Sequence, residues 1–220
     1  MVVWIQEGNR GKLYRDESCG VFLWRMALPA SGALLTYRRR KMWEKLASMG
    51  VRTGIFPPHL RQEAAAWGIT PVEVAPLRRL LLEELFAQCA IVRTDTVALR
   101  SEEATPEVYE AAAFLSQKAR YIVPEIAQGA EQLSDWLRRE YGVCTGGKGR
   151  AVCGGVTFAG APRCAEVHLG RDCRRYQTVR YTVDGAELPE ELVSVLWQAG
   201  IVKREQIRVI SVRGALDTEA

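Results

Sequence analysis

The sequence predicts an α/β protein: a Rossmann-like three-layer domain with a mostly parallel sheet over residues 1–145, then a small β-rich extension with one helix over residues 146–220. The extension either stands apart or packs into the same compact unit. Three observations carry this prediction. Short apolar runs alternate with longer amphipathic ones, the pattern of βαβ units. Glycine or proline closes several of these runs, as Gly50, Pro57 and Gly142 do. Beyond Gly142 the character changes: seven of the nineteen glycines fall between Gly142 and Gly160, and β-prone runs such as "GGVTF", "AEVHL" and "TVRYTV" replace helices. Those later runs are expected to pair antiparallel.

Taken in order, "VFLWRMAL" (21–28) is a short apolar strand, and "PASG" leads from it into a helix with Leu35, Met42, Leu46 and Met49 on one stripe. Gly50 stops that helix, and "VRTGIF" (51–56) forms a second strand ended by Pro57 and Pro58. A short helix over "HLRQEAAAWG" and a connection over "GITPVEVAP" come next. In "PLRRLLLEELFAQCA" the spacing of Leu77, Leu81, Leu85 and Cys89 is that of one buried helix face. "TVALRS" (96–101) is a strand; Thr105 then stands at an N-cap, Pro106 at the first helical position, and Val108, Ala112, Leu115 and Ala119 on an apolar stripe. "RYIVPEI" (120–126) is the fourth strand, and the following helix turns Leu133, Trp136, Leu137 and Tyr141 inward. A fifth strand starts at Val143. A helix over "LPEELVSVLWQAG", carrying Leu188, Leu192, Val195, Leu196 and Ala199, and a strand over "IRVISV" finish the chain.

Composition narrows the function classes. With 48% hydrophobic and 25% charged residues among 220, the chain has enough apolar content for a sizeable core, and its apolar runs are too short or too interrupted to cross a bilayer. The first twenty residues lack a basic segment followed by an apolar one and a small-residue cleavage site, so a cytoplasmic setting is expected, with its six cysteines reduced. The net charge of +4 is concentrated early, in "YRRRKMWEK" (37–45), where Tyr37 and Trp43 interleave with Arg38, Arg39, Arg40, Lys41 and Lys45. Such a face attracts nucleic acid or an acidic partner when its charges are unpaired. Arg171, Arg174 and Arg175 form a second basic cluster.

The stretch "YGVCTGGKGRAVCGG" (141–155) reads as a turn. It lacks the spacing and the following helix of a phosphate loop. If Lys148 and Gly149 centre a two-residue hairpin, Cys144 faces Cys153. Cys144, Cys153, Cys164 and Cys173 follow a C-x8-C-x10-C-x8-C spacing, unlike the close pairs of structural zinc sites, so no metal is expected and the sequence names no cofactor.

Topology says more than motifs. Ligands of open parallel sheets bind outside the carboxyl ends of the strands, at the switch in strand order. That rule collects Ser31 and Gly32, His59, Arg100 and Ser101, Glu125, Thr145 and Lys148. Ser31 and Gly32 would offer a hydroxyl and amides at a helix N-terminus, Arg100 and Lys148 positive charge, and Glu125 or His59 a polar or acid/base contact. The leading expectation is a small anionic ligand, a nucleotide or phosphorylated metabolite, at this edge. The alternative is a nucleic-acid or protein partner on the Arg38–Lys45 face.

Overall fold

The computed structural model describes residues 2–8, 11–18, 21–30, 34–89, 96–146, 152–163 and 165–214. The chain divides into two compact units, one of Met1–Glu73 with Glu191–Ile201, the other of Val74–Glu190 with Val202–Ala220.

The first unit opens with two strands ahead of the first one expected from the sequence. These are β1 (Val2–Gly8) and β2 (Lys12–Ser18); β3 (Val21–Pro29), α1 (Leu35–Ser48), β4 (Thr53–Ile55), α2 (Arg61–Ala66) and β5 (Thr70–Pro71) follow. The strand order is β2-β3-β1-β4-β5, with every pair parallel except β2–β3. In β1 the period-2 signal is short: Val3 and Ile5 are fully buried, Val2 and Trp4 half-buried, and the polar "QEG" ends the pattern. β2 lies at the sheet edge and carries Lys12, Arg15, Asp16 and Glu17, charges that discourage another strand from adding there. The core joins Val3, Ile5, Met26 and Leu28 to Trp43, Leu46, Val51, Phe56, Leu60, Ala64 and Ile69. Trp43, expected on the basic face of α1, is thus a core residue.

The second unit starts with a broken helix. The apolar stripe predicted as one helix is divided into α3 (Ala75–Leu80) and α4 (Leu82–Gln88) by Leu81, whose backbone departs from helical angles, although Leu77, Leu81 and Leu85 are all buried as the stripe requires. Next come β6 (Thr96–Glu103), α5 (Pro106–Lys118), β7 (Tyr121–Gln128), α6 (Ala130–Tyr141) and β8 (Cys144–Thr145), close to expectation. Tyr141 departs from it: the residue is 41% exposed, and its ring packs edge-on against Trp136.

β9 (Gly155–Thr157) and β10 (Glu166–His168) then extend the same sheet on its other side, in the order β10-β9-β6-β7-β8, with all pairs parallel. The antiparallel expectation for these two strands is therefore overturned. So is the facing of Cys144 with Cys153: Cys144 pairs beside Tyr121 of β7, whereas the Cys153 amide donates to the Thr96 carbonyl of β6. Lys148 and Gly149 lie outside the described residues. Part of the glycine richness reflects close approach of backbones, since a Cβ on Gly155 would stand 2.0 Å from the Ala98 carbonyl oxygen.

The antiparallel expectation does hold for the last sheet. There β11 (Gln177–Val183) follows the short α7 (Cys173–Tyr176) and pairs with β12 (Ala186–Leu188) and β13 (Ile207–Gly214). Between them runs α8 (Glu190–Gln198), where Leu192 and Leu196 are buried as expected, Val195 is half-buried and Ala199 is exposed. The fold is mixed α/β and Rossmann-like: in the second sheet β6, β7 and β8 step outward one way, and β9 and β10 return to step outward the other way. Among the described residues no helix is long and apolar enough to cross a membrane.

Candidate functional site

The reversal of strand order in the second sheet falls between β6 and β9. At that point the parallel register aligns four polar residues across adjacent strands: His168 with Thr157, Thr157 with Arg100, and Arg100 with Glu125. Aligned residues on neighbouring strands project to the same face, so the row forms a polar band at the carboxyl end of the sheet. Glu166 precedes His168 by two residues and shares that face.

Hydrogen bonds knit the band together. Arg100 Nη1 donates to Glu166 Oε2 at 2.7 Å and to the Ala161 carbonyl at 3.0 Å, and its Nε lies 3.7 Å from Glu125 Oε2. Arg163 holds Glu125 in a two-pronged pair, with both N–O distances 2.8 Å, while its backbone N–H donates to Glu166 Oε2 at 2.7 Å. The Glu125 pair raises the Arg163 pKa above its ordinary value, chiefly through the hydrogen bonds. The two ion pairs differ in worth. Glu166 is buried, so removing its partner would strand a charge, whereas the Arg163 side chain is 55% exposed and its pair is screened by water.

His168 is equally buried. Its Nδ1 accepts from the Gly170 N–H at 3.1 Å, its ring stacks on Tyr176, and its backbone N–H donates to Gln177 Oε1. Burial, then the nearby positive charge of Arg78, pushes its pKa down to about 4, so the ring is neutral at pH 7. Among the described residues Glu166 Oε1 is buried without a hydrogen-bond partner, while the Gly160 carbonyl by the His168 ring acts to raise the ring's pKa against burial and Arg78.

Below this band lies a clamp with a structural role. Arg78 is fully buried and grips Glu190 through Nε to Oε1 at 2.7 Å and Nη2 to Oε2 at 2.9 Å, while donating to the carbonyls of His168 and Gln177. Tyr181 adds its hydroxyl to Glu190 Oε1 at 3.0 Å. Burial opposes the Arg78 charge, but the hydrogen bonds and charge of Glu190 outweigh it and raise its pKa; burial and Glu190 together raise the Tyr181 phenol. This network ties α3, β10, β11 and the start of α8 together and thereby sets the position of His168.

Of the residues gathered by the sequence rule, Arg100, Ser101 and Glu125 share this edge, with the Ser101 hydroxyl donating to the Glu103 carbonyl at 2.9 Å. Thr145 does not join them: it pairs beside Ile122, three residues before Glu125 along β7. His59 belongs to the first unit, where Nε2 stands 3.5 Å from Glu7 Oε2. Ser31, Gly32 and Lys148 lie outside the described residues. The rule missed Thr157, Arg163, Glu166 and His168, because it requires β9 and β10 to be recognised as parallel members of the sheet. The only advance signal was the polar–apolar–polar alternation of Glu166, Val167 and His168.

The alternative face is largely self-neutralised. Arg39 pairs with Glu63 and Glu7 and donates to the Pro29 carbonyl, and Trp43 Nε1 donates to Glu63 Oε1 at 2.6 Å. Arg40 and Lys41 both pair with Glu44. Among the described residues no three His, Cys, Asp or Glu side chains converge as a metal ion requires; Cys164 lies outside those residues. Comparison with known proteins returns no matching family model, no similar curated protein and no similar solved structure.

Proposed function

We propose that the protein binds a small anionic ligand, a phosphorylated metabolite or nucleotide, at the carboxyl edge of its second sheet. The observation that supports this is that Arg100 and Arg163 meet on the same two carboxylates, Glu125 and Glu166, at the switch between β6 and β9, the position where open α/β sheets receive ligands. Arg100 is anchored by buried Glu166 and keeps a fixed orientation. Arg163, itself 55% exposed, is held by half-buried Glu125 in a water-screened pair worth about 0–1 kcal/mol, so an incoming phosphate exchanges with Glu125 at little cost. Two planar guanidinium groups then present paired N–H donors to the anion.

Calorimetry tests the reading. Phosphorylated ligands are expected to bind the native chain, and Arg163→Ala to weaken the best of them about tenfold while leaving the melting temperature unchanged, because that side chain is exposed. Affinity that survives Arg163→Ala and Arg100→Ala would place the ligand elsewhere.

A further inference from the structure

In the second unit a cleft of about 190 Å³ opens between α3–α4 and α5. Its floor is apolar, made by Leu80, Leu82, Ala111, Phe114 and Leu169; Leu82, Ala111 and Leu169 are buried, and Leu80 is 37% exposed. An apolar cavity of about 150 Å³ accommodates benzene, so this one has room for a single small ring. It shares no residue with the polar band at the carboxyl edge.

The rim is charged, and its charges do not balance. Arg79 of α3 reaches Glu107 of α5 at 2.9 Å, and Lys118 of α5 reaches Glu83 of α4 at 2.7 Å. Both carboxyls are held below their ordinary pKa, Glu83 chiefly by its hydrogen bond with Lys118, Glu107 first by its own backbone N–H and then by Thr105 and Arg79. Glu110, the third carboxylate of the lining, has no hydrogen bond or ion pair among the described residues. One uncompensated negative charge therefore stands beside an apolar floor. The lining already recruits a cation of its own: the Lys118 ammonium lies 5.7 Å from the Phe114 ring centroid, so a carboxylate and an aromatic face hold it together. An anion would be repelled by Glu110, and a neutral apolar molecule would leave that charge unpaired.

We propose that this cleft is a second ligand site, for a small primary amine whose ammonium pairs with Glu110 and whose apolar body lies on Leu80, Phe114 and Leu169. Arg79 and Lys118 keep their own carboxylates, so the amine displaces no existing pair.

Benzylamine, benzyl alcohol and benzoate test this, since they share one ring and differ in charge. On the isotope-labelled native chain, benzylamine is expected to shift the amide resonances of Leu80, Ala111 and Phe114 along a saturable curve. Benzyl alcohol should bind there about tenfold more weakly, and benzoate should leave those resonances in place. Glu110→Gln keeps the shape of an exposed side chain and removes its charge, so the melting temperature should hold while benzylamine affinity falls about fivefold. Benzyl alcohol binding as tightly as benzylamine, or Glu110→Gln binding benzylamine as well as the native chain does, would overturn the amine site. So would the absence of any shift at those three residues with millimolar benzylamine. None of these outcomes bears on the anion reading, whose residues and probes are different.

Discussion

Arg78 is the side chain whose loss is expected to be felt most. Arg78→Met leaves the Glu190 carboxylate buried beside Tyr181 with its strongest partner gone, a change expected to cost about 3–5 kcal/mol in urea denaturation. Replacing Arg78 and Glu190 together by methionine should recover most of that loss, because no unpaired charge is then buried. His168 gives a pH dependence of definite sign. The folded ring resists protonation down to about 4, while the unfolded ring takes a proton below about 6.5, so unfolding is coupled to proton uptake between those values. This contribution is fully present above pH 6.5 and is lost as pH falls toward 4, by about 3 kcal/mol in all. The native chain should therefore lose more stability between pH 7.5 and 4.5 than His168→Phe does; parallel slopes would contradict the buried neutral ring. Cys173 is fully buried with its thiol pushed up to about 11, mainly by burial, so mass mapping after iodoacetamide should find it alkylated far later than exposed Cys144.

Among the elements, β9 is held to β6 at a point with no room for a side chain. Gly155→Ala puts a Cβ against the Ala98 carbonyl and is expected to destabilise toward the upper end of about 1–3 kcal/mol, measurable by chemical denaturation. The basic helix α1 is expected to be a poor phosphate binder despite its sequence. Among the described residues only Arg38 and Lys45 of its basic run have no carboxylate partner, so anisotropy titrations with duplex DNA should give a log–log salt slope no steeper than about −2. A steeper slope would reinstate that face as an interface.

The same elements show what sequence can carry. α1, α5 and α6 were legible because each repeats an apolar stripe over several turns, and Gly142 adopts the left-handed cap expected after α6. β9 and β10 have three residues each, too few for a period, and nothing local distinguishes a parallel from an antiparallel partner. Arg100 and Glu125 were found because each ends a readable strand. Glu166 and His168 were not, since their importance depends on register. The Arg78–Glu190 pair joins residues 112 positions apart, which no local pattern reports.

The whole molecule is threaded rather than strung. The chain passes between its units after residues 73, 190 and 201, so the first unit is completed by a segment of α8 that arrives only after most of the second has been laid down. Within that unit the Ser194 hydroxyl donates to the Glu73 carbonyl at 2.8 Å, and Leu192, Val193 and Leu196 are buried. A fragment of residues 1–73 is therefore expected to melt without a cooperative transition, and appending residues 190–201 through a flexible linker should restore one. A sharp melt of 1–73 alone would show that α8 is dispensable to it.

That threading also bears on biosynthesis. Many multidomain chains fold their N-terminal part while the ribosome is still extending the rest. Here the first unit waits for residue 201, and the second waits for β13, so neither can close early. The five strands of the first sheet are complete by residue 71, yet the α8 segment of that unit is made only at residues 191–201, so the unit is expected to stay incomplete for most of translation and to gain from chaperone cover meanwhile.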